Sequence, residues 1–160
     1  MSPLLEIDWS AGAPELRDAI AACATALRDG DNLVLYPSGH LQTERLEKLG
    51  GASAVSTLLE SAPECRVVLV RITGLWGSRF GWAGGRQPLV APVLLRGAVA
   101  ALASGGFFMP RRQVTVELEE PVEFPRSVPR EELNRYLESF YNVNPQPALH
   151  IPLTPWTPGG

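Results

Sequence analysis

Leu33-Val34-Leu35-Tyr36-Pro37-Ser38-Gly39-His40 is the stretch whose reading decides the fold. A short apolar run closed by turn residues reads as a buried strand. Pro37 cannot donate to a strand ladder and Gly39 can take a positive φ, so the strand ends there and the backbone bends. In an open α/β sheet the crevice beyond the carboxyl ends of the strands is where ligands sit. Ser38, Gly39 and His40 therefore occupy a position suited to binding or chemistry.

Working outward, residues 4–9 read as a short strand. Pro14 opens a helix to about Leu27, with Leu16, Ala19, Ile20, Cys23 and Leu27 at helical spacing and Gly30 as its stop. Strand, helix and strand with tight joints predict a parallel pair. After the turn, residues 42–48 are polar and read as a loop. Gly50-Gly51 opens a small-residue helix over 52–59, ended by Pro63. Residues 67–73 are apolar and β-branched, as in a central strand covered on both faces. Residues 74–86 are too rich in glycine for regular structure. Residues 92–103 form an apolar helix too short for a bilayer, which takes roughly 20 residues, and read as either a buried helix or one lying in a lipid interface. Residues 113–119 alternate, with Val114, Val116 and Leu118 expected inward and Thr115, Glu117 and Glu119 outward. Pro129 starts a last helix to about Tyr141, bearing Leu133, Tyr136, Leu137 and Phe140 on one face. The predicted fold class is α/β, a mostly parallel sheet with helices on both faces. It occupies residues 1–142, and residues 143–160 are a proline-rich tail packed through Trp156.

Composition narrows the function classes. The 160 residues are 45% hydrophobic and 19% charged, which is globular rather than disordered. The two cysteines, Cys23 and Cys65, form neither a disulfide framework nor a metal-binding cluster. The start of the chain does not read as a secretory leader, and a reducing, cytoplasmic location is expected. Between Arg66 and Val116 there is no Asp or Glu, yet Arg66, Arg71, Arg79, Arg86, Arg96, Arg111 and Arg112 fall there. Arginine without acid points to an anionic partner. Trp76, Phe80, Trp82, Phe107 and Phe108 among those arginines suit a lipid head-group region; the plainer reading makes them core or sheet cover. With one lysine, a pI near 5.4 and no recognisable module, nucleic acid is not an expected partner. Neither a GxGxxG fingerprint nor a Walker loop is present, and no cofactor or metal is expected.

The order of these blocks resembles the second part of the glycerolipid acyltransferase family, the lysophosphatidic-acid acyltransferase type. The family's Phe-Pro-Glu-Gly-Thr-Arg turn, which grips the acceptor's phosphate, corresponds to Tyr36-Pro37-Ser38-Gly39-His40-Leu41, with Ser38 in place of Glu and Leu41 in place of Arg. Leu5-Glu6-Ile7-Asp8-Trp9 is similar to the family's Ile-Phe-Ile-Asp-Arg strand end, and residues 67–72 to its later apolar strand. The resemblance covers residues 4–75 and implies a partial acyltransferase-like domain, its C-terminal portion. It implies transfer of an acyl group from acyl-CoA or acyl carrier protein to a lysophospholipid. Asp8, Tyr36, Pro37, Ser38, Gly39, His40 and Arg71 would line the acceptor site, with Arg45 or Arg79 as further phosphate partners.

The family's general base is a His-x4-Asp pair. This chain has none: its histidines are His40 and His150, and five residues on stand Arg45 and Pro155. No catalytic residue is assigned here. The pair is expected upstream of this chain, or lost. In the second case the chain is a non-catalytic lipid-binding or scaffold domain derived from that fold. Ser38 is not in a Gly-x-Ser-x-Gly elbow and is not read as a nucleophile. A third reading is a different α/β enzyme that uses His40. An anionic membrane surface is the expected further partner, met by Arg79, Arg86, Arg96, Arg111 and Arg112 with Trp76, Phe80 and Trp82. Peripheral attachment at the inner face of the membrane follows.

Overall fold

The computed structural model of the chain describes residues 13–40, 42–85, 89–106, 111–145 and 147–152. Among them are four α-helices, a two-stranded sheet and one short 3-10 turn at Trp82–Gly84. The chain forms two compact units. One comprises Met1–Leu41, Lys48–Val67 and Pro121–Phe140; the other comprises Gln42–Glu47, Val68–Glu120 and Tyr141–Gly160.

In the first unit, α1 (Ala13–Arg28) carries apolar residues at helical spacing, and Ile20, Cys23 and Ala24 are buried. They pack with Leu58 of α2 (Ala54–Ser61) and with Ala62; Leu27, Leu33, Leu35, Ala54 and Cys65 close around them. The end of α1 is set by Gly30, whose φ of 90° is open to glycine. Gly30 N donates to Leu27 O and Asp31 N to Ala26 O, the paired bonds of a Schellman cap. The Arg28 guanidinium donates to Ser61 O, tying the ends of α1 and α2.

The chain's last helix, Arg130–Tyr141, is α4; α3 belongs to the second unit and is described below. Its Leu133 and Leu137 are each 1% exposed, and its polar face grips a loop. Asn134 Nδ2 donates to Gly50 O and Ala52 O, each at 3.0 Å. Glu138 Oε1 accepts from Leu49 N at 2.6 Å. Ahead of the helix, Phe124 meets Tyr136 edge to face at 5.6 Å, and Arg126 lies over the Phe124 ring while donating to Pro63 O.

In the second unit, β1 (Leu69–Thr73) pairs antiparallel with β2 (Thr115–Glu119). Arg71 stands directly opposite Glu117 and its Nη2 lies 2.6 Å from Oε2. A slip of one residue would set Arg71 against an apolar neighbour, so this pair pins the register. A second tie lies beyond the strand ends. Arg112 donates to Gly74 O, Gly77 O and Leu149 O, and Leu149 N donates to Trp76 O. Gly74 and Gly77 both have positive φ. A Cβ on Gly77 would lie 2.5 Å from Leu149 N, so glycine is obligatory at this crossing. α3 (Val90–Ala103) is apolar and ends in a Schellman cap at Gly105, where Gly106 N donates to Ala101 O.

This architecture corrects the expected α/β fold. The only sheet among the described residues has two antiparallel strands, not a mostly parallel set covered on both faces. Residues 33–36 carry no regular secondary structure and pair with no strand among the described residues. Their alternation explains why: Leu33 and Leu35 face the helices, whereas Val34 and Tyr36 are 82% and 76% exposed. β1 was expected to be covered on both faces. Leu69 is buried, but Val70 and Ile72 are exposed, and so are Val116 and Leu118 opposite them, which were expected inward. Only β1 alternates in burial, with Leu69 covered and Arg71 and Thr73 half-covered; every residue of β2 is exposed, so the expected inward face of residues 113–119 is not found. The four expected helices are present, with ends shifted by two residues or fewer. The expected strand at 4–9 and the packing of Trp156 lie outside the described residues.

Candidate functional site

The turn at residues 36–40 is built on the helical core of the first unit. Leu33 and Leu35 anchor the segment before it against α1 and α2, so its end is held rather than loose. Gly39 N then donates to Tyr36 O at 3.0 Å, closing a four-residue turn with Pro37 at its second position. Pro37 presets its own φ for such a turn. Gly39 sits at φ 68° with open space where a Cβ would lie, so the backbone angle, not crowding, demands glycine. Ser38 Oγ donates to His40 O at 3.1 Å, which turns the hydroxyl back over the loop. Pro37 and Ser38 are half-buried; Tyr36, Gly39 and His40 are exposed.

The chemistry on offer is that of hydrogen-bond donors on a rigid bend. A phenol, a hydroxyl, an imidazole and backbone amides are presented within five residues. None of residues 33–40 is acidic. Ser38 in particular places a neutral hydroxyl where a carboxylate would repel an anion. A ligand that approached the bend would meet no carboxylate from residues 33–40.

Of the other predicted site residues, Arg71 and Arg45 belong to the second unit. The Arg71 Nε and Nη2 are engaged by Glu117. Arg45 donates to Pro145 O. Asp8 lies outside the described residues. Of the arginines assigned to a membrane surface, Arg79, Arg96 and Arg111 are exposed, Arg112 is used up on three carbonyls, and Arg86 lies outside the described residues. Phe80 is exposed while Trp76 and Trp82 are half-buried; Phe107 and Phe108 lie outside the described residues.

Sequence reasoning left α3 as either a buried helix or one in a lipid interface and did not single out its leucines, although its small residues Gly97, Ala101 and Ser104 already mark one stripe at helical spacing. Among the described residues no three His, Cys, Asp or Glu side chains converge to hold a metal ion. Burial pushes the Cys23 thiol up from its ordinary value, which disfavours the reactive thiolate. No helix among the described residues is long and apolar enough to cross a membrane. Comparison with family models, with curated proteins and with solved structures found no match to this chain.

Proposed function

We propose that the chain forms the acceptor-binding part of an O-acyltransferase that acts on lysophospholipids. The acyl group would pass from the thioester of acyl-CoA or acyl carrier protein to the acceptor hydroxyl. The ester C–O bond forms, the C–S bond breaks and the thiol leaves with a proton. The proton must be drawn from the hydroxyl by a His and Asp pair, and this chain holds no such pair at the required spacing. The observation that carries the reading is the core-anchored bend at 36–40, exposed and acid-free, in the place of the family's phosphate-gripping turn. Tyr36 and His40 would meet the head-group phosphate through phenol and imidazole donors, the Ser38 hydroxyl and Gly39 amide holding the bend in shape through His40 O and Tyr36 O.

A second reading is a non-catalytic lipid-binding domain. The absence of His-x4-Asp from the chain favours it. Both readings need the same phosphate contact, and they part at catalysis.

Calorimetric titration of the full chain with decanoyl lysophosphatidate and with monodecanoin, below their aggregation limits, tests the shared contact. The phosphate-bearing lipid should bind at least tenfold more tightly, and Gly39→Val should remove that preference. Equal affinity for both lipids would overturn the proposal. Ester formation from acyl-CoA, followed by mass spectrometry, separates the readings. The enzyme reading predicts transfer only when a polypeptide bearing His-x4-Asp is added; the binding-domain reading predicts none in either case.

A further inference from the structure

Helix α3 is turned the wrong way round for a helix that ends in water. The face turned inward is made mostly of small residues: Ala100 is buried and Gly97 and Ala101 are half-buried, as is Val93, with Ser104 buried at its end. Its large apolar side chains face out: Leu94, Leu95 and Leu102 are 58%, 68% and 84% exposed, and Val99 is exposed beside them. At 3.6 residues per turn these four cover roughly 140° of the helix circumference. Exposed apolar residues scattered singly need no explanation, but a continuous band on one element does.

We propose that α3 is a membrane-docking helix that lies in the surface of an anionic bilayer with Leu94, Leu95, Val99 and Leu102 in the acyl region. Three observations select lipid over a protein partner. The outward face carries a single side chain able to hydrogen-bond, Arg96, whereas a specific protein interface needs several such bonds to fix its register. The band spans more than a third of the helix circumference, a width that fluid acyl chains cover without a matching groove. And the charge is complementary. Arg79, Arg96 and Arg111 of this unit are exposed and make no ion pair or hydrogen bond among the described residues, while the sequence from 66 to 116 contains no acid to repel phosphate. Arg96 lies on α3 itself beside the apolar band, where a guanidinium can meet a lipid phosphate while its stem stays among the chains, and Arg79 and Arg111 add to the positive charge of the same unit. With 14 residues the helix is about 21 Å long, short of the ~30 Å hydrocarbon core, so it lies along the surface. The inference does not rest on acyl transfer, since it uses no residue of the 36–40 bend.

The test is flotation of the full chain with vesicles of pure phosphatidylcholine and of phosphatidylcholine with 30% phosphatidylglycerol. Wild type should partition onto the anionic vesicles at least tenfold better than onto neutral ones. Leu95→Glu with Leu102→Glu should lower that partition tenfold or more, with the far-UV circular dichroism unchanged because both sites are exposed. A second variant, Arg79→Glu with Arg96→Glu and Arg111→Glu, leaves the apolar band whole. It should abolish the preference for anionic lipid, so the proposal stays exposed even if the leucine variant misfolds. Equal binding to both vesicle types, or binding that neither variant weakens, would overturn it. So would a concentration-dependent dimer in place of vesicle binding, dissociated by the leucine variant, which would assign the band to a second copy of the chain.

Discussion

Asn134→Ala isolates the clamp by which α4 holds the loop at residues 49–52. Asn134 is 5% exposed, and its Nδ2 donates to Gly50 O and Ala52 O at 3.0 Å. Each such bond contributes about 1 kcal/mol net, so about 2 kcal/mol is lost with the pair. Gly50 is exposed, so water can replace the amide at its carbonyl; Ala52 is half-buried, and its carbonyl is left poorly served. Allowing up to about 1 kcal/mol for that orphaned acceptor, the substitution should cost ~2–3 kcal/mol. For a chain of this size each kcal/mol lowers Tm by about 2–4 °C, so melting should fall by roughly 4–12 °C. Urea unfolding followed by far-UV circular dichroism gives the free energy directly. Glu138→Gln should add a smaller loss, since Gln keeps an acceptor for Leu49 N but not its charge. The two losses should not add, because both side chains grip one loop. Arg130→Ala serves as the control: its pair with Glu131 is exposed and adjacent in sequence, and it should change stability by less than about 0.5 kcal/mol. An Asn134→Ala protein as stable as wild type would refute the clamp.

Two further outcomes follow from packing and charge. Gly77→Ala should destabilise by more than about 2 kcal/mol in the same urea assay, from the left-handed backbone angle and the clash with Leu149 N at 2.5 Å together; Gly85→Ala, also at positive φ but with open space around it, should cost only about 1–2 kcal/mol. Burial, and then the nearby Glu47 carboxylate, hold the Tyr141 phenol above its ordinary value of 10.0. The folded state therefore keeps that proton longer than the unfolded chain does. Its stability contribution is full below pH 10 and is lost as pH rises through the raised value. Tyr141→Phe should flatten that alkaline fall, read as urea midpoints between pH 9 and 11; an unchanged slope would contradict the buried phenol.

How much of this was legible in the sequence follows from the range of the signals. Pro14 and Gly30 announce α1, and Pro129 announces α4, because a helix start or stop is written within a few residues. The Tyr36-Pro37-Ser38-Gly39 bend was legible for the same reason: proline and glycine act on their own backbone. Sheet pairing is not local. β1 is β-branched and apolar, which makes it a strand, but nothing within it names β2 as its antiparallel partner or says which face stays open. The ties that hold the units are equally silent in sequence. Arg112 reads as one more cation, yet its acceptor Gly74 O is 38 positions away. Asn134 reads as a polar helix residue, yet its acceptor Gly50 O is 84 positions away. The orientation of α3 escaped detection because a helix apolar all round does not say which side meets the protein.

The claim on which the functional account turns is that the bend at residues 36–40 receives a phosphate. An amide chemical-shift map of the isotopically labelled chain, titrated with decanoyl lysophosphatidate below its aggregation limit, tests it most directly. The account predicts saturable shifts at Ser38, Gly39 and His40 that monodecanoin does not reproduce. Shifts absent from those three amides, or reproduced by the lipid without phosphate, would contradict it.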